Sequence, residues 1–453
     1  MLRSLAEAMQ GLILTCTISI LAVANPVLAA SQEREPHLQK AIGQLLDGQP
    51  LPAITDASAA VKVHPQSAEA LAILGLCQLR CGEWEKAESR LTEALAIDSL
   101  SPEAHLGLGA IAASKMRYRD AIPHLRKATS SRVLRGEAYR ALAWSLEDSN
   151  LHQEASQAMQ EASTYSNDLR ADELVNLRAW AAIFAAHDHR SLYRISTTFK
   201  STSIPFDPSG SHITFPVVLN GSKQVDCVLD TGNGGTLMIS DDYAEGLELT
   251  YLGEITAISL NGRLRLKAAI LDSVRMGGLE MRDVPVLVCE DSPFGSIGVI
   301  GWKLIQRVNT TVDFNRLVVE LSSQDSREPN SMGVRDEKQA ECVPFVYMTS
   351  MYIVARFGGG VPRAFILDTG ADASYLHFSD SDGRGHEPTG EACPIRIGDL
   401  TFDVPQTQFI DFSAIHKKGR YYFAGVIGND VLRQGILQIL PREGMLCIER
   451  GAP

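Results

Sequence analysis

Two short stretches hold residues able to do chemistry. CVLDTGN runs from Cys227 to Asn233, and FILDTGA from Phe365 to Ala371. Each ends an apolar run on a carboxylate, Asp230 or Asp368, and follows it with a hydroxyl and a glycine. The two carboxylates are 138 residues apart. Carboxylates held a few ångströms apart cannot both ionise, so one pKa rises and the pair titrates as a unit. The ionised member can then take a proton from water while the protonated member donates one to an electrophile. Neither a metal nor an organic cofactor is needed for that chemistry.

The elements that must position these residues are also written twice. GVIG occurs at Gly298–Gly301 and again at Gly425–Gly428, each following its DTG by a similar interval. Each copy leads into a short helix-like stretch and a closing strand pair, VDFNRLVVEL (Val312–Leu321) and LQILPREGMLCIE (Leu437–Glu449). Short runs of β-branched and aromatic residues between Gly, Asn and Asp turns predict an all-β region. ITFPVVLNG (Ile213–Gly221) reads as a strand and turn, and Asn261-Gly262 as a hairpin. The carboxylates therefore belong to matching places in two small lobes.

Two apolar residues before Asp-Thr-Gly, with a downstream apolar-apolar-Gly, resemble the signature of aspartic proteases of the retropepsin and pepsin type. The resemblance covers Ser211 to Glu449 and implies two fused retropepsin-like lobes, residues 211–322 and 341–453, joined by a linker at 323–340. It implies hydrolysis of peptide bonds by a water held between Asp230 and Asp368. Thr231 and Thr369 then match the hydroxyls that brace the opposite lobe's loop. Gly232 and Gly370 match the places where backbone N–H groups approach the carboxylates, and Gly301 and Gly428 the close-packed strands behind them. The chain departs from the pepsin pattern after each DTG, where Asn233 and Ala371 replace a Ser or Thr. Losing that hydroxyl predicts raised dyad pKa values and a mildly acidic to neutral optimum. Substrate-covering hairpins are expected within Leu252–Leu264 and Arg384–Cys393. An inactive peptide-binding receptor on the same fold is the other reading, and the presence of both aspartates disfavours it.

The first half has a different period. Leu74, Leu108 and Leu142 are 34 residues apart, as are Ala87, Ala121 and Ala155, and Ala94, Ala128 and Ala162. Leu91, Leu125 and Met159 keep the same step. This resembles the tetratricopeptide repeat, a pair of antiparallel helices per unit. The expected fold is therefore multidomain: an all-α repeat solenoid over residues 35–196, a linker at 197–210, and an all-β two-lobed protease unit. A degenerate unit is expected from Glu35 to Pro65, and a capping end with a polar outer face from Asn167 to Ser196. The resemblance implies a groove for a protein partner or substrate, or a scaffold.

The N-terminus reads as an export signal, residues 1–30. Arg3 precedes the apolar stretch Gly11–Ala24, and NPVLAA supplies a breaker and small residues. Export to a periplasm or to the outside is expected, with cleavage after Ala29 or Ala30 or retention as an anchor. The chain has 453 residues and a net charge of -12, which disfavours nucleic acid and anionic membranes as partners. Cys77 and Cys81 read as small buried side chains between helices, and His187-Asp188-His189 as a solvated turn rather than a metal site. No Walker loop, nucleophile elbow or zinc motif is present.

Overall fold

The computed structural model describes residues 35–165, 168–187, 190–259, 262–290, 297–325, 340–358, 360–377, 394–404 and 408–450. The helical half runs α1 (Pro36–Leu46), α2 (Pro50–Val63), α3 (Ala68–Arg80), α4 (Trp84–Ile97), α5 (Pro102–Ser114), α6 (Tyr118–Ala128), α7 (Arg135–Asp148), α8 (His152–Ala162) and α9 (Ala171–Ala185). Proline opens α1, α2 and α5, where a missing N–H costs nothing. The Ser67 and Ser101 hydroxyls cap α3 and α5.

The 34-residue period reappears in the backbone. Gly48, Gly82, Met116 and Asn150 are left-handed, with φ of 71°, 78°, 55° and 61°, and each closes the first helix of a pair. Gly48 brings residues 36–63 into the same register. The period's alanines, Ala87, Ala94, Ala121, Ala128, Ala155 and Ala162, are fully buried. A Cβ on Gly75 would come within 2.7 Å of Leu91, so the paired helices cross there without side-chain space.

The β half contains β1 (Arg194–Ile195), β2 (Ser201–Pro205), β3 (Thr214–Leu219), β4 (Lys223–Leu229), β5 (Leu237–Ser240), β6 (Gly253–Ser259), β7 (Gly262–Met276), β8 (Leu279–Cys289), β9 (Gly298–Ile300), β10 (Asn309–Asp313) and β11 (Val318–Ser322). It continues with β12 (Ala340–Tyr347), β13 (Met351–Phe357), β14 (Arg363–Leu367), β15 (Tyr375–His377), β16 (Ile395–Ile397), β17 (Leu400–Phe402), β18 (Gln408–Ile410), β19 (Gly425–Ile427), β20 (Gly435–Leu440) and β21 (Met445–Arg450). Among the described residues short helices interrupt it: α10 (Asp241–Ala244), α11 (Trp302–Ile305), α12 (Ser413–Gly419) and α13 (Asn429–Leu432).

The first lobe is a sheet in the order β1-β8-β5-β9-β4-β3-β7-β6, with β7 also paired to β8. The second follows β18-β15-β19-β14-β13. Between them lies an antiparallel run, β12-β21-β20-β10-β11-β2, to which both lobes contribute. Cys342 and Cys447 face each other across β12 and β21 and form a disulfide.

Two expectations change. Residues 197–210 are not a bare linker, because β2 pairs with β11 and buries Ile204 and Phe206. The end of the solenoid is not a polar cap. Leu177, Trp180, Ile183 and Phe184 of α9 are buried, and Ala179 meets Gly253 of β6. The helical half also packs against the β half. Helix α3 is buried on every side from Ala70 to Arg80, which an open-grooved solenoid helix is not. A Cβ on Gly48 would meet the Lys417 carbonyl, and one on Gly82 would meet Ala364 at 2.5 Å. The turns at Gly48 and Gly82 thus lie on the β half. The signal region, most of the inter-lobe linker and the Arg384–Cys393 hairpin lie outside the described residues. Among the described residues no helix is long and apolar enough to cross a membrane.

Candidate active site

Each carboxylate sits where a strand must stop. β4 runs parallel to β9, and the Asp230 N–H donates to the Ile300 carbonyl at 3.0 Å. β14 runs parallel to β19, and the Asp368 N–H donates to Ile427 at 3.0 Å. Both GVIG copies thus pin the residue that follows the catalytic-type strand. Gly301 and Gly428 sit on the loops themselves. A Cβ on Gly301 would lie 2.5 Å from the Gly235 carbonyl, and one on Gly428 would lie 2.3 Å from that of Ala373.

The two loops then lock together. The Thr231 hydroxyl donates to the Leu367 carbonyl at 2.7 Å and accepts the Thr369 N–H at 3.1 Å. The Thr369 hydroxyl donates to the Leu229 carbonyl at 2.7 Å and accepts the Thr231 N–H at 3.1 Å. Both threonines are fully buried. Four buried backbone groups find partners across the lobe boundary, so each loop depends on the other for polar contacts.

This lock brings Asp230 and Asp368 into side-chain hydrogen-bond contact. A Cβ on Gly232 would lie 2.4 Å from the Asp368 carboxyl carbon, and one on Gly370 would lie 2.5 Å from that of Asp230. Any larger residue at either glycine would drive the carboxylates apart. Asp230 accepts the Asn233 N–H at 2.9 Å and Asp368 the Gly370 N–H at 2.8 Å. Burial, and then the Asp368 charge, push Asp230 well above the ordinary carboxylate range. Burial raises Asp368 too, against the N–H of Gly370 and the bond from Asp230. The geometry is that of a carboxyl pair that titrates as a unit, with both members raised.

Sequence reading brings every one of its site residues to this point: Asp230, Asp368, Thr231, Thr369, Gly232, Gly370, Gly301 and Gly428. It misses the groups that hold the loops. Ser350 donates to the Gly232 carbonyl and Tyr347 to that of Gly234, both at 2.8 Å. Asn429 reaches the carbonyls of Thr369 at 2.9 Å and Ser211 at 3.0 Å. Asn429 immediately follows the second GVIG, the single local signal that pointed to any of them. The expected hairpin within Leu252–Leu264 is the β6–β7 pair. His187 is largely buried and lies 3.5 Å from Asp283, so it is not a solvated turn; Asp188 and His189 lie outside the described residues. Cys77 is buried as expected, with Cys81 less so. Among the described residues no group of three or more His, Cys, Asp or Glu is arranged to hold a metal ion.

No curated protein matches the chain. Residues 215–304, most of the first lobe, match the family model described as aspartyl protease. Residues 45–102 match the one described as tetratricopeptide repeat, so the chain carries a domain of the aspartyl protease kind behind tetratricopeptide repeats.

Proposed function

We propose that the chain is an aspartic endopeptidase, with Asp230 and Asp368 as its catalytic pair. The observation that carries this reading is the reciprocal threonine lock, which sets two raised, hydrogen-bonded carboxylates side by side at the lobe boundary. Ionised Asp368 takes a proton from a water, whose oxygen bonds to the peptide carbonyl carbon. Asp230 gives its proton to the carbonyl oxygen. The tetrahedral intermediate then collapses, the C–N bond breaks, and the amine leaves with a proton returned by the pair. Thr231, Thr369, Gly232, Gly370, Gly301 and Gly428 hold the pair without touching substrate.

The absence of a hydroxyl after each DTG favours activity at mildly acidic to neutral pH. The Asn233 side-chain oxygen accepts the Gly235 N–H at 2.8 Å, and its backbone N–H, not a hydroxyl, donates to Asp230 at 2.9 Å. Export is supported by the Cys342–Cys447 bridge, which persists in oxidising compartments. A protein partner or substrate of the repeats would use the faces of α4, α6 and α8, which the β half leaves exposed.

The test is a diverse peptide library incubated with the full chain and with Asp368→Asn. Cleavage by the first, reduced at least about 1,000-fold in the second, is expected. Equal binding by both without cleavage would make the chain a receptor and end the enzymatic reading.

A further inference from the structure

The solenoid reaches the first catalytic-type loop through a buried charged cluster. Glu147 and Asp148 end α7. Lys303 of α11 donates to Glu147 at 2.9 Å and to Asp148 at 2.8 Å. Arg307 donates to both carboxylates at 3.1 Å. Gln306 donates to Asp148 at 2.8 Å and accepts from the Tyr118 hydroxyl at 3.1 Å. The Lys303 ammonium also lies 4.6 Å from the Trp144 ring centre. The Lys303 and Glu147 side chains are 6% and 1% exposed.

The same short helix holds the loop at its other end. The Trp302 N–H donates to the Asn233 carbonyl at 2.8 Å, and the Lys303 N–H to the Gly235 carbonyl at 3.0 Å. Asn233 in turn donates its own N–H to Asp230. An unbroken chain of bonds therefore runs from α7 through α11 and Asn233 to one carboxylate. Among the described residues the second lobe has no such chain to the solenoid: the Asn429 N–H of α13 holds the Ala371 carbonyl at 2.9 Å and its side chain that of Thr369, while Ser374 bonds Asp430 and the Gly428 N–H within the lobe.

Burying two carboxylates with two cations rarely adds stability over an apolar replacement of the same shape. What the charges add is direction, since each partner accepts only a narrow geometry. We infer that Glu147, Asp148 and Lys303 are positioning residues: the repeat domain is a built-in brace that fixes the Asp230 loop through α11. Its effect on catalysis rests on the endopeptidase reading; its effect on the loop does not.

The test uses the full-length chain with two readouts. Lys303→Met leaves two buried carboxylates short of a cation, so Asp148→Asn, which keeps Glu147 as counter-charge, is the gentler companion. In amide hydrogen exchange, residues 231–235 are expected to exchange at least about tenfold faster in both variants, while 369–373 stay unchanged. In peptide cleavage, kcat/KM is expected to fall about 10- to 100-fold. Its pH profile should move upward, because Asp230 loses the N–H bond that favours its charge. Lys303→Arg should restore both. Unchanged exchange at 231–235, or equal loosening of both loops, overturns the brace. If the wild-type chain cleaves nothing, the endopeptidase reading falls, and the exchange experiment still decides the brace.

Discussion

The two DTG loops are alike in front and unlike behind. In front, the threonine lock is reciprocal to within the hydrogen-bond distances: 2.7 Å and 3.1 Å from each side. Behind, the first loop is fastened to another domain by a buried charge cluster, and the second is held by Ser374 of its own lobe and by Asn429, which also reaches Ser211 of the first lobe. Symmetry is kept where each backbone group needs the opposite loop as its partner. It is lost where, among the described residues, the solenoid bonds only one of the two helices that follow GVIG. The second lobe meets the solenoid elsewhere, at Arg420. That side chain donates to Glu137 at 3.1 Å and to Glu173 at 3.0 Å, while Arg80 grips Glu137 at 2.7 Å. Lobes related by duplication thus present different residues to a third body.

The largest effect should come from the symmetric part. Thr231→Val and Thr369→Val each leave a buried N–H and a buried carbonyl unpaired, so each should destabilise by about 2–5 kcal/mol. Denaturant titration should give nearly equal values, and the double variant less than their sum, because the two share one network. Clearly unequal losses would show that one lobe carries the lock.

The solenoid contacts should differ in acid. Burial opposes the charge of Glu137, but Arg80, Arg420 and Arg140 hold its pKa down to about 2. That lies below the ordinary value of 4.5, so its contribution is complete above about pH 4.5 and is lost as the pH falls toward 2. The contribution is on the order of 3 kcal/mol. Thermal melts of wild type and Glu137→Gln should therefore converge through that window. Curves that stay parallel would mean the cluster does not depend on the Glu137 charge.

The smallest effect separates the carboxylates. A group whose folded pKa is raised weakens the fold as pH climbs from its free value through its folded one. Replacing it with a neutral amide removes that penalty. Asp230→Asn should raise Tm at pH 7 by a few degrees, and Asp368→Asn by less, since Asp230 is pushed further. Reversal of that order would place the shared proton on Asp368.

Much of this was legible because it is local or repeated. The alanines of the 34-residue period need no partner outside their own unit, and the left-handed turns at Gly48, Gly82, Met116 and Asn150 obey the same period. The DTG and GVIG pairs were readable because a strand that stops at a carboxylate leaves its own apolar run. Residues 197–210 misled because their Pro, Ser and Thr content suits a linker, whereas β2 gains its order from β11, more than a hundred residues later. Helix α9 misled for a similar reason. Its apolar stretch matched a solenoid end, but Asn176 is bonded to the backbone of Thr256 in β6.

The sequence by itself determined that two aspartates would sit at matching places in duplicated lobes, preceded by a helical repeat. Short-range periodicity and a repeated tripeptide encode that much, since each copy reports on the other. Only the tertiary structure decided that the lobes would share one sheet, that the carboxylates would be locked by opposite threonines, and that Lys303 would be held by Glu147 and Asp148. Those pairings join residues some 120 to 160 positions apart. A single lysine or glutamate leaves no local pattern, because its meaning lies in the charge it meets after folding.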